Sequence, residues 1–253
     1  MMQTITFIGN GHMALSIAKG LKGKYHIEVV GREREKLDRF ESDLDTNIDK
    51  HLLNDFDITG KTIILCVKPA NTESVGKTLR GKARLLLSVL AGTSLETLKN
   101  HIESEATVRT MPNLAASVGA SITTMTGDRR YQKEAQVLME AIGETLWLSS
   151  EKEIDIATAL AGSGPAYLAL IAEALTDGAV KQGLKREDAM AVMRGLFHGF
   201  GTLIQEIHPA LLKDSVMSPG GTTAAGYSAL EKGGVRSSCM EAVEKAYERA
   251  AVL

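Results

Sequence analysis

Cysteine is nearly missing from this chain. Cys66 and Cys239 are its only two, far apart, with no CxxC pair and no metal-type spacing to histidine. A structural disulfide is therefore not expected, and the usage fits a reducing, cytoplasmic compartment. An excess of one charge is also lacking: the formal net charge is −2 and no dense Lys/Arg cluster occurs. Nothing electrostatic points to nucleic acid or to an anionic membrane as partner. No uncharged apolar run reaches the roughly 18 residues of a membrane span, so none is expected. The opening MMQTITFIGNG lacks the basic and apolar regions of a signal peptide and reads as a first strand. HExxH, GxSxG and any carboxylate cluster suited to a metal are absent too, so no metal is expected.

What is present is an ordinary globular composition, 44% apolar and 24% charged over 253 residues, which leaves room for two domains. Residues 1–150 alternate strand-like and helix-like pieces. Thr4–Ile8, His26–Val30, Thr62–Val67, Arg84–Val89 and Thr107–Thr110 are short β-rich runs, with amphipathic stretches such as Met13–Leu21 and Glu33–Phe40 between them. Ala120–Met125 and Glu144–Leu148 read as later strands flanking a helix over Tyr131–Ile142. This alternation predicts an α/β fold with a parallel, doubly wound sheet. Over residues 151–253 the strands stop. Lys152–Leu160, Ala166–Gln182, Arg186–Ile207, Thr223–Lys232 and Val235–Ala251 all read as helices, an all-α domain. The Ala166 and Arg186 helices are apolar on nearly every side, which predicts that they pack against another subunit.

The chemistry-bearing segments lie in loops. All five prolines fall in short punctuated pieces: CVKPA, TMPNL, GSGPAY, IHPAL and MSPGG. Directly after the first strand, ITFIGNGHMA places Gly9, Gly11 and Ala14 in a GxGxxA pattern at a helix start. Such a turn lets backbone approach a pyrophosphate, and the free N–H groups of the helix end face the anion. Ile8 through Ala14, including Asn10, His12 and Met13, are the candidate cofactor contacts there. Strand two ends in EVVGREREK, with no acid for ribose hydroxyls; Arg32 instead suits a 2′-phosphate, so NADPH is preferred and NADH possible. Glu33 beside it could repel that phosphate or point into solvent. Cys66, Val67, Lys68 and Pro69 in ILCVKPAN end another strand and should border the cofactor, as should Ala91 in VLAGTS and Asn113 in TMPN. For Asn113 the competing reading is a helix cap. The GSGP of Gly162 to Pro165 is either a kink or a break that opens the domain toward the nicotinamide. In MSPGGTT, Gly220 and Gly221 free the backbone, and the helix starting near Thr222 offers N–H groups and a dipole end to a small carboxylate.

Together FIGNGHMA, VKP, MPN, TALAGSGPAY and HPALLKDSVMSPGGTTAAGYSALEKGG make the chain resemble pyrroline-5-carboxylate reductases along essentially its whole length. The LKDxVxSPGGTT run is the specific part; the other motifs are shared with wider dehydrogenase groups. Ala161 stands where that family often has Ser, and Gly31 where an Asn often precedes the arginine. The resemblance implies a Rossmann-like domain plus a helical dimerisation domain, assembled as a homodimer or a larger ring of dimers. It implies NAD(P)H-dependent reduction of L-1-pyrroline-5-carboxylate to L-proline, with hydride delivered to the C=N carbon. Ser163, Ser218, Gly220, Gly221, Thr222 and Thr223 become the substrate contacts. The N–H groups of Gly221, Thr222 and Thr223 would hold the carboxylate, with the Thr223 hydroxyl as the catalytic contact to the ring nitrogen. Two alternatives stand beside this. One is another NADP-dependent imine or hydroxyacid reductase; the hydroxyacid type would need a lysine acid early in the helical half, where neither Lys152 nor Lys181 is well placed. The other is a non-catalytic dinucleotide-binding regulator.

Overall fold

The computed structural model describes residues 2–250. The chain divides into two compact units: one reaches to Ser163 and takes in the chain again from Ala246, the other is Gly164–Lys245.

The first unit holds strands β1 (Thr4–Ile8), β2 (His26–Gly31), β3 (Asp49–Leu52), β4 (Phe56–Asp57), β5 (Thr62–Leu65), β6 (Leu79–Arg80), β7 (Leu85–Ser88), β8 (Thr107–Met111), β9 (Ser121–Gly127) and β10 (Gly143–Trp147). Strands β4 and β6 pair only with each other, and the rest form one sheet in the order β10-β9-β8-β7-β5-β1-β2-β3. TIIL of β5 and LLLS of β7 are buried at every residue, as unbroken apolar strands covered on both faces should be. Helices α1 (His12–Leu21), α2 (Arg34–Leu44), α3 (Thr72–Gly76), α4 (Leu95–His101) and α5 (Gln132–Met139) cover it. On one face Phe7 and Val29 pack with Ile17 of α1, Leu37 of α2 and Leu138 of α5; on the other Ile8, Ile63 and Leu65 pack with Val75 of α3 and Leu98 of α4. The chain order reverses direction between β1 and β5. The crevice at the carboxyl ends of those strands is where such sheets bind ligands.

Two features add to the sheet expected from the sequence. Strand β3, the polar DKHL, adds an edge strand parallel to β2 that the sequence pattern did not reveal. Strand β9 runs antiparallel to β8, while β10 runs parallel to β9 through the α5 connection. The reason for the reversal is chain length. Only Pro112–Ala120 separates β8 from β9, and a parallel crossover needs about a dozen residues or more.

Helix α6 (Glu151–Ala157) is tied to the sheet by a buried cation. The Arg109 side chain on β8 is 4% exposed and donates to Glu151 at 2.8 Å and to Asp155 at 2.7 Å. The same Glu151 oxygen accepts the Leu95 N–H at 2.7 Å, which joins the start of α4 to this cluster. After α6, just before the Gly162–Pro165 segment read as a kink or a break, the chain makes a π turn over Thr158–Gly162, with Ser163 N donating to Thr158 O at 3.2 Å.

The second unit consists of α7 (Gly164–Lys181), α8 (Arg186–Glu206), α9 (Pro209–Val216), α10 (Thr222–Lys232) and most of α11 (Val235–Ala250). Helix α9 occupies HPALLKDSV, where no helix was expected; Pro209 stands at its start and His208 Nδ1 accepts the Ala210 N–H at 3.2 Å. Ala251, placed at a helix end by the sequence, lies outside the described residues. Among the described residues of this unit only Thr176, Ala189, Met193 and Leu212 are buried. Leu170, Val192 and Leu196 are 66%, 65% and 55% exposed. On length and composition alone Glu151–Lys181 would also pass for a membrane span, which the count of strictly uncharged residues did not reveal.

Candidate active site

The crevice at the β1/β5 carboxyl edge is a cleft of about 470 Å³. Gly9, Asn10, Gly11, Arg32, Cys66, Val67 and Lys68 all line it. Gly9 has φ +105°, and a Cβ there would stand 2.6 Å from the Cys66 carbonyl oxygen. Only glycine lets β1 turn into α1 against that neighbouring strand end. Gly11 caps α1 without a side-chain acceptor, and the first helical bond is Leu15 N to Gly11 O at 3.0 Å. The N–H groups of His12, Met13 and Ala14 therefore have no partner among the described residues, an arrangement that suits a phosphate. The side chains of Ile8 and Ala14 are core, Met13 packs on the core, and His12 is exposed. Those residues can meet a cofactor only through backbone, His12 excepted.

Arg32 is exposed at the cleft and has no ion-pair or hydrogen-bond partner among the described residues. Its neighbours are engaged elsewhere: Glu33 with Lys36 at 2.7 Å and Arg34 with Asp38 at 3.7 Å. The Lys36 hydrogen bond, with a smaller attraction from Arg32, holds the Glu33 carboxyl below its ordinary range. Burial pushes the Cys66 thiol up, which keeps it an uncharged wall residue.

Pro69 is exposed and Ala91 half-buried; both follow strand ends without lining the cleft. Asn113 is engaged structurally: its Oδ1 accepts the Ala115 N–H at 3.1 Å, its backbone N–H goes to Ser121 Oγ at 3.0 Å, and its Nδ2 donates to Ala161 O at 3.1 Å. The cleft also takes in Gly31, singled out in the sequence as the residue before Arg32, and Leu53, Asn71, Ser74 and Thr78, which sequence reasoning missed. Leu53 depends on the unexpected strand β3, and Asn71 to Thr78 on the short α3 carried just past VKP.

In the second unit the SPGGTT segment joins α9 to α10. Gly220 has φ +70°, and the Gly221 N–H closes a turn onto Ser218 O at 3.0 Å. A Cβ on Gly221 would collide with the Ser218 side chain. Helix α10 begins at Thr222, and its first bond is Ala225 N to Gly221 O at 3.2 Å. The open donors are thus Thr222, Thr223 and Ala224. This corrects the expected trio, because the Gly221 N–H is spent inside the turn. Ser218, Gly220, Thr222 and Thr223 are exposed, and Ser163, in the first unit, is half-buried at the end of the π turn. Among the described residues no group of three or more potential metal-ligating side chains comes together.

Known proteins match this chain along nearly its whole length. A pea protein named pyrroline-5-carboxylate reductase is 36% identical, with 97% of this chain and 94% of that protein aligned. The chain belongs to the pyrroline-5-carboxylate reductase family. A Thermus thermophilus protein of that name is 32% identical over 97% of this chain and 96% of its own. Residues 151–253 match the model of the pyrroline-5-carboxylate reductase dimerisation domain, and residues 4–92 that of an F420-dependent NADP oxidoreductase domain. Among solved structures, the 1-pyrroline-5-carboxylate reductase of Streptococcus pyogenes covers 99% of this chain and 98% of its own at 30% identity and a TM-score of 0.86. A Plasmodium falciparum pyrroline carboxylate reductase with NADP bound is 28% identical, covers 98% of each chain and has a TM-score of 0.81. The exposed apolar helices of this family member therefore fall within a domain whose model is one of dimerisation.

Proposed function

We propose that the chain reduces L-1-pyrroline-5-carboxylate to L-proline, the last step of proline synthesis, with NADPH as the preferred reductant and NADH as a weaker one. The observation that carries this reading is the α10 N-terminus: three open N–H donors behind a Gly-Gly turn, in a chain that also holds a dinucleotide cleft. The residues present fit that cofactor, since Gly9 admits backbone contact, His12 to Ala14 offer N–H groups, and Arg32 is a cleft cation with no hydrogen bond or ion pair among the described residues. When bound, NADPH supplies the hydride that adds to the C=N carbon.

The chain's own residues bind, orient and hydrogen-bond. The substrate carboxylate sits on the N–H groups of Thr222, Thr223 and Ala224, favoured by the helix dipole. Ser218 and Gly220 shape that turn. The Thr223 hydroxyl meets the ring nitrogen, which gains one proton as the adjacent carbon gains the hydride. An imine whose nitrogen is hydrogen-bonded or protonated is the better hydride acceptor, so the site acts through positioning and needs no strong base. Lys68 borders the cofactor, and Ser163 is a further substrate contact. The functional division falls between a dinucleotide-binding domain, 1–150, and a substrate-binding and dimerisation domain, 151–253, in a cytoplasmic protein.

The test is NADPH oxidation driven by pyrroline-5-carboxylate, compared with NADH and with six-membered cyclic imines. Turnover fastest with NADPH and the five-membered ring is expected; no turnover with that ring would reject the reading.

The helical unit supports assembly as a homodimer, because its exposed leucines and valines have no cover within the unit. Analytical ultracentrifugation should show a dimer or a multiple of dimers at micromolar concentration. A folded monomer at every concentration would remove the second subunit from the account.

A further inference from the structure

Pro165 brings no N–H, so the Ala161 carbonyl four residues earlier lacks the donor that α spacing would give it. The Asn113 amide takes that place, donating to Ala161 O at 3.1 Å. Its other end caps the short helix after β8 by accepting the Ala115 N–H at 3.1 Å. One side chain thus ties the carboxyl end of β8 to a π turn whose own bond, Ser163 N to Thr158 O, has five-residue spacing. Single π turns inside α-helices recur at functional sites.

Its place on the sheet gives it a role. A dinucleotide with its adenosine phosphate at Arg32, just past β2, and its pyrophosphate at α1 extends, on the other side of β1, over the ends of β5, β7 and β8. Asn113 follows β8 at that edge. We propose that Asn113 is a positioning residue for hydride transfer: by holding the Ala161 carbonyl it keeps Thr158–Gly162 in the π form and fixes Ser163 beside the nicotinamide end. The inference rests on the pyrroline-5-carboxylate reductase reading.

Two substitutions separate this role from simple capping. Asn113→Asp keeps the oxygen that caps Ala115, since Asp caps as well as Asn, but turns the donor toward Ala161 into a second acceptor. Pro165→Ala returns to the Ala161 carbonyl a backbone donor that competes with the Asn113 amide for it. Each is measured by steady-state kinetics, NADPH binding by fluorescence, and thermal unfolding. Both variants should lose about tenfold or more in kcat, as misplacement near 1 Å does, with unchanged NADPH dissociation constants. Their thermal midpoints should diverge, Asn113→Asp falling while Pro165→Ala holds or rises. Lowering the pH should restore part of the Asn113→Asp rate relative to wild type, because a protonated carboxyl can again donate. Full kcat in either variant, or rate losses that merely follow the thermal midpoint, overturns the inference while wild-type turnover stands. An inactive wild type overturns the functional reading and the inference with it.

Discussion

Thr223→Ala is expected to lose roughly one to two decades of kcat/KM for pyrroline-5-carboxylate, while NADPH binding stays as it was. The hydroxyl is the one polar side-chain group proposed to face the reacting nitrogen, and a hydrogen bond to a charged group is worth about 1.5–3 kcal/mol. Thr223 is exposed, and its hydroxyl has no partner among the described residues, so its removal leaves no buried group unsatisfied. The loss should therefore appear in catalysis and not in thermal stability. Thr223→Ser, which keeps the hydroxyl, should recover most of the rate. Unchanged kinetics in the alanine variant would remove Thr223 from the mechanism and leave the carboxylate to the α10 N–H groups alone.

Arg32→Ala should weaken NADPH roughly tenfold to a hundredfold in KM while shifting NADH little. Arg34 does not line the cleft and pairs with Asp38, and Glu33 pairs with Lys36. Arg32→Lys should recover only part of the selectivity, since a point charge cannot make the paired hydrogen bonds of a guanidinium. Equal losses for the two cofactors would reject a 2′-phosphate contact.

The parts of the fold legible in the sequence are those where one local rule suffices. Short β-rich runs buried on both faces mark β1, β5 and β7, and GxGxxA marks the turn because Gly9 alone tolerates the Cys66 carbonyl. Strand β3 was hidden because DKHL, at the sheet edge, carries no apolar alternation. The reversal of β9 is a matter of loop length, not of composition. Helix α9 was hidden because a loop-like HP opens it and Pro209 sits at its first position, where proline is favoured. In the site, glycine and charge patterns pointed to Arg32 and the SPGGTT loop. The assignment of individual N–H groups needed coordinates: Gly221 reads as a donor until its bond to Ser218 is seen. Asn113 reads as a cofactor contact or a cap until its other end is found on Ala161.

The near absence of buried side chains from the helical unit has a consequence for how the protein's durability should be stated. A fold whose apolar helices are covered only by a second copy has a midpoint of unfolding that depends on how much protein is in the tube. Each tenfold dilution removes about 1.4 kcal/mol of apparent stability from a two-chain equilibrium. A substitution on α7 or α8 that looks harmless in concentrated stock can then leave the chain unfolded at cellular abundance, without touching a single catalytic group.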